Sequence, residues 1–218
     1  ARIAQVIDEL GYRPNRMAQG LKATVSHMIG VTIADIGNPF SSLLLKGIQQ
    51  VCRERDVQLL VSDSNNQGAL ERANIESLLD AQVDGLIVNT VGGNDDWLSS
   101  YCLEETHKPV VLLDRIIRPT VCDGVQTANV QAVSEMMAHL ESQGFDAVLF
   151  VTRPTEGVST RTARREAVES FLAAGRFHGE ISVYETVDGL REMMAALLAR
   201  YRGDRVCLFA NKEETMRD

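Results

Sequence analysis

From Met28 onward, short apolar runs alternate with stretches of helical period, and this alternation limits the chain to a few architectures. The runs MIGVTIA, VQLLVSD, GLIVNT, PVVLLD, DAVLFV, ISVYET and RVCLFA read as buried strands, each followed by a helical stretch or a loop. Asn38-Pro39, ahead of Phe40, Leu44, Ile48 and Val51, reads as a helix start with proline in the first turn. A βαβ succession calls for mainly parallel sheets with helices on both faces. After PVVLLD the rhythm breaks at RIIRPTVCDGVQTA and a second βα series begins, which predicts two lobes, residues 28–125 and 126–218, with the crossing near Val125. Only NKEETMRD follows RVCLFA, so the second sheet is expected to lack its last units.

Residues 1–27 have a different character. Ile3, Val6, Ile7 and Leu10 recur at helical spacing and are followed by Gly11, a residue suited to ending a helix. In YRPNRMAQGLKA, Pro14 interrupts, Asn15 can cap, and Arg16 to Lys22 form a short helix that Gly20 weakens. A helix this short is not stable alone. The whole chain carries a formal charge of -8, yet residues 1–27 hold Arg2, Arg13, Arg16 and Lys22 against only Asp8 and Glu9. A basic arm on an acidic body suits a switchable binder of nucleic acid better than a constitutive one.

Cys52, Cys102, Cys122 and Cys207 lack the close pairing of metal sites or redox motifs, so the natural setting is a reducing one and the expected location cytoplasmic. No apolar run approaches the roughly 20 residues of a membrane span. There is no Gly-rich dinucleotide fingerprint, phosphate loop, nucleophile elbow or zinc-type histidine pair, and His27, His107, His139 and His178 are dispersed. The expectation is a protein without catalytic residues, metal or cofactor.

Read in order, IDELGYRPNRMAQGLKA, IGVTIADIGNPF, VDGLIVNT, PVVLLDR, STRTARREAVESF and CLFAN resemble successive landmarks of the LacI/GalR repressor family. The strings span nearly the whole chain, and their joint order is more specific than any one of them. The resemblance implies residues 1–27 as the last helix of a helix-turn-helix domain plus a hinge helix, followed by a two-lobed, periplasmic-binding-protein-like sensor that dimerises. It implies a repressor with operator DNA and a small sugar or sugar acid as partners, the effector lying between the lobes. NTVGGND with STRTARRE is similar to regulators of ketogluconate-type sugar-acid catabolism within the family. Two positions depart from the family pattern: Ala128-Asn129 stands where Asp-Asn is usual, and Lys212 stands where Asp usually follows the asparagine of the late strand.

On the same resemblance, Leu21 wedges between base steps in the minor groove, a sensible role for an apolar side chain because unstacking bends more phosphates toward the protein. Arg16 and Lys22 would contact phosphates, while Tyr12, Asn15 and Gln19 would fix register. The plainer alternative is that Leu21 packs a linker onto the body. For the sensor, ligands of open α/β sheets gather at the carboxyl ends of strands. That rule nominates Asp35, Phe40, Thr90, Asp114, Arg164 and Asn211, with family precedent favouring Asp114, Arg164 and Asn211. Asp and Asn suit sugar hydroxyls, an aromatic edge packs on a ring face, and Arg can clamp a carboxylate. Each also has a structural reading: Asp114 as a turn cap, Phe40 as core, Arg164 as part of a solvated helix face. The strongest rival function is a solute-binding protein for sugar uptake, which would share the lobes but have no use for the basic arm.

Overall fold

The computed structural model describes residues 25–104 and 108–211, so the proposed DNA-contacting residues Tyr12, Asn15, Arg16, Gln19, Leu21 and Lys22 lie outside the described residues. The elements run β1 (Met28–Ile33), α1 (Pro39–Glu54), β2 (Gln58–Asp63), α2 (Gly68–Asp80), β3 (Gly85–Val88), α3 (Asp95–Leu103), β4 (Val110–Leu113), β5 (Asp123–Val125), α4 (Asn129–Ser142), β6 (Ala147–Thr152), α5 (Ser159–Ala173), β7 (His178–Val183), α6 (Val187–Arg200) and β8 (Val206–Ala210). They form a five-stranded sheet in the order β2-β1-β3-β4-β5 and a three-stranded sheet in the order β7-β6-β8. β1 is parallel to β2 and β3, and β6 is parallel to β7 and β8. By sheet membership the chain changes over after β5. By packing it divides into two compact units, one of the described residues up to Asn89 with Ser100–Val111, the other of Thr90–Ser99 with Leu112 onward.

In the first unit, α1 starts where its sequence dictates: the Asn38 side chain accepts from the Phe40 backbone N–H at 3.1 Å and Pro39 occupies the first turn. Ile75 and Leu78 of α2 are buried, as are Val31 and Ile33 of β1 and Leu86 and Val88 of β3. A Cβ at Gly30 would meet Leu86 Cδ2 at 2.9 Å, so the missing side chain lets α2 and β3 close on β1. α1 leaves its apolar residues unusually open: Phe40 is 41% exposed, Leu43 66% and Val51 49%. The expectation that Phe40 could be a core residue therefore fails.

In the second unit every residue of β6 is buried, because β7 and β8 flank it on both edges and helices cover both faces. Side chains alternate along the strand. Val148 and Phe150 face Val133, Met137 and Leu140 of α4 and Ala167 and Val168 of α5, while Val151 packs with Tyr184 and Leu190 on the α6 side. β8 follows the same alternation, Cys207 and Phe209 joining the first cluster and Leu208 the second. Phe150 and Phe209 stack at a tilt with ring centroids 4.9 Å apart.

Two sequence readings need correction. The interruption RIIRPTVCDGVQTA contains a strand, β5, which pairs at the end of the five-stranded sheet. The strands β2, β7 and β8, read as buried, are only partly so, because among the described residues each sits at a sheet edge. Among the described residues no helix is long and apolar enough to cross a membrane.

Replacing Phe150, fully buried between α4 and α5, by alanine is expected to cost about 3–5 kcal/mol of unfolding free energy. Leu103→Ala, at a site 67% exposed, should stay within about 0.5 kcal/mol. Urea denaturation followed by circular dichroism measures both.

Candidate functional site

In the second unit the start of α4 and the end of β8 meet the side chain of Arg164 on α5, and the end of β6 joins them through Asn211. Arg164 lies in the second turn of α5, and its Nε donates to Asn129 Oδ1 at 2.7 Å, while Nη1 donates to Asn211 Oδ1 at 3.0 Å and to the Asn211 carbonyl at 3.1 Å. Asn129 opens α4, and its Nδ2 donates to the Thr127 carbonyl at 3.0 Å, which fixes the amide so that its oxygen faces the guanidinium. Asn211 follows β8, and its Nδ2 donates to Thr152 Oγ1 at the end of β6 at 3.2 Å. Asn129, Thr152 and Asn211 are buried. A guanidinium has five N–H groups, and the two on Nη2 have no acceptor among the described residues.

Asp114 lies immediately after β4 in the left-handed region at φ 64°, a conformation that Asp tolerates better than most residues. Its backbone N–H donates to the Val125 carbonyl of β5 at 2.7 Å, so the turn is set by the strand absent from the sequence reading. The carboxylate is partly buried, and nothing among the described residues donates to it. Burial raises its pKa above the ordinary carboxylate value, although the positive charges of Arg115 and Arg164 act in the opposite sense. Burial likewise lowers the pKa of Arg164, and Asp114 opposes that shift. The two groups sense each other's charge without a direct hydrogen bond. A carboxylate needing donors and a guanidinium needing acceptors can together take a polyhydroxylated or carboxylated ligand.

The remaining nominees are placed differently. Thr90 belongs to the second unit and is 1% exposed, its hydroxyl accepting from the Gly92 N–H at 3.1 Å and so shaping a turn. Asp35 and Phe40 belong to the first unit. Asp35 Oδ1 accepts from the Gly37 N–H at 2.9 Å and Oδ2 from Asn66 Nδ2 at 3.3 Å, while the Phe40 ring is exposed on the first turn of α1. The structure thus brings Asp114, Arg164 and Asn211 together. Asn129 and Thr152 join them without having been nominated, although Asn129 keeps the asparagine of the Asp-Asn pair usual in the family and begins a helix after the chain crossing, signals that could have found it. Among the described residues no group of three or more His, Cys, Asp or Glu side chains is placed to hold a metal.

A raised carboxylate pKa has a definite consequence for stability. Between the ordinary value and the raised one, the folded chain holds more protons than the unfolded chain, so stability falls as pH rises through this window and is level above it. Asp114→Asn should remove that fall, leaving the variant more stable relative to the parent above the window than below it. Parallel pH and urea titrations check this; identical profiles for the two proteins would contradict it.

Residues 26–199 match the family model described as periplasmic binding proteins and sugar binding domain of LacI family. The chain is 38% identical over 199 residues to the HTH-type transcriptional regulator PtxS of Pseudomonas plecoglossicida, covering 91% of this chain and 57% of that protein. It is 32% identical over 199 residues to the HTH-type transcriptional regulator KdgR of Bacillus subtilis, covering 91% of this chain and 58% of the relative. The chain therefore spans little more than half the length of these relatives. Among solved structures, a LacI transcriptional regulator from Lactobacillus brevis superposes with a TM-score of 0.75 at 22% identity, over 87% of this chain and 72% of that one, a likeness of fold. With the family model matched over most of its length, the chain belongs to the LacI/GalR family through its sugar-binding domain.

Proposed function

We propose that the chain is the sensing part of a cytoplasmic, sequence-specific repressor whose affinity for operator DNA is set by a sugar-acid effector of the ketogluconate type. The observation that carries this reading is the pairing of an undonated, half-buried Asp114 carboxylate with the free Nη2 edge of Arg164, held at the ends of β4 and β8 by Asn129 and Asn211. In this reading the Asp114 carboxylate binds hydroxyls, Asn211 adds the one Nδ2 hydrogen not given to Thr152, and Arg164 binds the effector's carboxylate. It accords with the names of the relatives, which are transcriptional regulators, and with the basic arm at residues 1–27.

Operator contacts are assigned to Tyr12, Asn15, Arg16, Gln19, Leu21 and Lys22. The effector prefers one of two states of the sensor, and reciprocity requires it to change operator affinity by the same coupling free energy. The proposed switch is a binding equilibrium and uses no catalytic residue, cofactor or metal. The exposed apolar residues Phe40, Leu43 and Val51 of α1 suit a two-fold dimer, which would match a palindromic operator. Sedimentation of the full-length protein as a monomer at micromolar concentration would remove the dimer from the account.

Calorimetric titration of the full-length protein with 2-ketogluconate, 2-keto-3-deoxygluconate and neutral sugars tests the effector class. The expected result is binding of a sugar acid that Arg164→Met weakens by about 3 kcal/mol, roughly a hundredfold. Tight binding of a neutral sugar alone would refute the assignment.

A further inference from the structure

The turn that carries Asp114 and the helix that carries Arg164 come from separate parts of the sequence, and a single hydroxyl joins them. Ser159 is the first residue of α5, one place past the N-cap position, which Val158 occupies without giving a side-chain cap. A serine at the N-cap would accept from its own helix. One place later, Ser159 Oγ accepts instead from the Ile116 N–H, at 2.9 Å. Ile116 lies two residues after Asp114, and Arg164 lies five residues after Ser159 on the same helix.

A second fastening backs the first. Gly92 and Gly157 both adopt left-handed backbone, at φ 91° and 68°. A Cβ at Gly92 would run into the Gly157 carbonyl, and one at Gly157 would lie 3.3 Å from Gly92 Cα, so the two backbones touch where neither residue has a side chain. The Gly157 loop is bound to α5 by Arg161 Nη1, which donates to the Pro154 carbonyl at 2.9 Å, and by Thr162 Oγ1, which donates to the Thr155 carbonyl at 3.3 Å. On the other side, the Thr90 carbonyl accepts from Nη1 of Arg115, the residue after Asp114, at 3.0 Å. The stretch from Thr90 to Gly92 therefore links the Asp114 turn to the start of α5 by another route. NTVGGND supplies Gly92 and STRTARRE opens on Ser159, so the two strings that stand out in the sequence lie at one joint.

The Asp114 carboxylate accepts no hydrogen bond among the described residues, so its place is set by its backbone and by whatever holds that backbone. A binding group of this kind is only as well aimed as its support. We propose that Ser159 is a positioning residue of the effector site, holding the Asp114 turn on the helix of Arg164 through its bond to Ile116. The inference rests on the effector reading above, with Asp114 on hydroxyls and Arg164 on the carboxylate.

The test is a double-mutant cycle, read by calorimetry on the full-length protein with 2-ketogluconate and 2-keto-3-deoxygluconate. It compares the parent, Ser159→Ala, Ser159→Thr, Asp114→Asn and the combination of Ser159→Ala with Asp114→Asn. Ser159 is partly exposed and alanine favours a helix, so the fold survives the exchange. Ser159→Ala is expected to weaken binding about tenfold. Ser159→Thr, which keeps the acceptor oxygen, is expected to bind like the parent. Added to Asp114→Asn, Ser159→Ala is expected to cost almost nothing more, because both changes remove the same contact. A serine that only supported the fold would weaken binding by the same factor whether position 114 holds Asp or Asn. That outcome, parent-like affinity in Ser159→Ala, or a Ser159→Thr protein as weak as Ser159→Ala, would overturn the positioning role and leave the effector reading standing. Failure of the parent to bind either sugar acid would overturn both.

Discussion

A guanidinium taken partly out of water has to find acceptors, and in this protein that requirement organises the second unit. Arg164 on α5 is satisfied by Asn129 at the start of α4 and by Asn211 beyond β8, and Asn211 in turn holds Thr152 at the end of β6. One side chain thereby fixes the mutual positions of two helices and two strands at the rim of the sheet. The hydrophobic layers beneath, Phe150 with Phe209 on one face and Val151 with Leu190 on the other, keep β6 dry and hold the rim in register. The network consumes the Nε and Nη1 edges of the guanidinium and leaves Nη2 without an acceptor among the described residues.

Much of this architecture is legible in the amino-acid sequence alone. Runs such as AVLFVT declare a central strand, and Asn38-Pro39 declares a helix start, because each depends on local chemistry that a single sequence displays. β5 was not legible. Asp123-Gly124-Val125 has no apolar run and is exposed along its length, so only its place beside a neighbouring strand makes it one. The exposure of β2, β7 and β8 was invisible for a related reason: edge position is a property of the sheet, not of the strand. Phe40 shows the converse, a large apolar residue that helical period placed on a face and that the structure leaves open.

The site was half legible. Position after a strand selected Asp114 and Asn211, and α5 supplied Arg164, but nothing local marked Asn129 as the acceptor that aims Arg164. Thr90 satisfied the same positional rule, and its hydroxyl accepts from the Gly92 N–H and so shapes a turn. Strand ends tell where a ligand gathers; hydrogen-bond accounting tells which side chains are still available to it. By that accounting Asp114 and the Nη2 of Arg164 are available, and the oxygens of Asn129 are not.

If Asp114 and Arg164 together read an effector and pass its presence on to DNA, operator affinity of the full-length protein, measured with and without saturating effector in the parent and in Asp114→Asn, shows it. Operator affinity is expected to change at least tenfold in the parent and hardly at all in Asp114→Asn, with both proteins binding operator equally well in the absence of effector, because the Asp114 side chain accepts no hydrogen bond that holds the unit together. An effector that leaves operator affinity unchanged in the parent protein, or that shifts it equally in the variant, would contradict it.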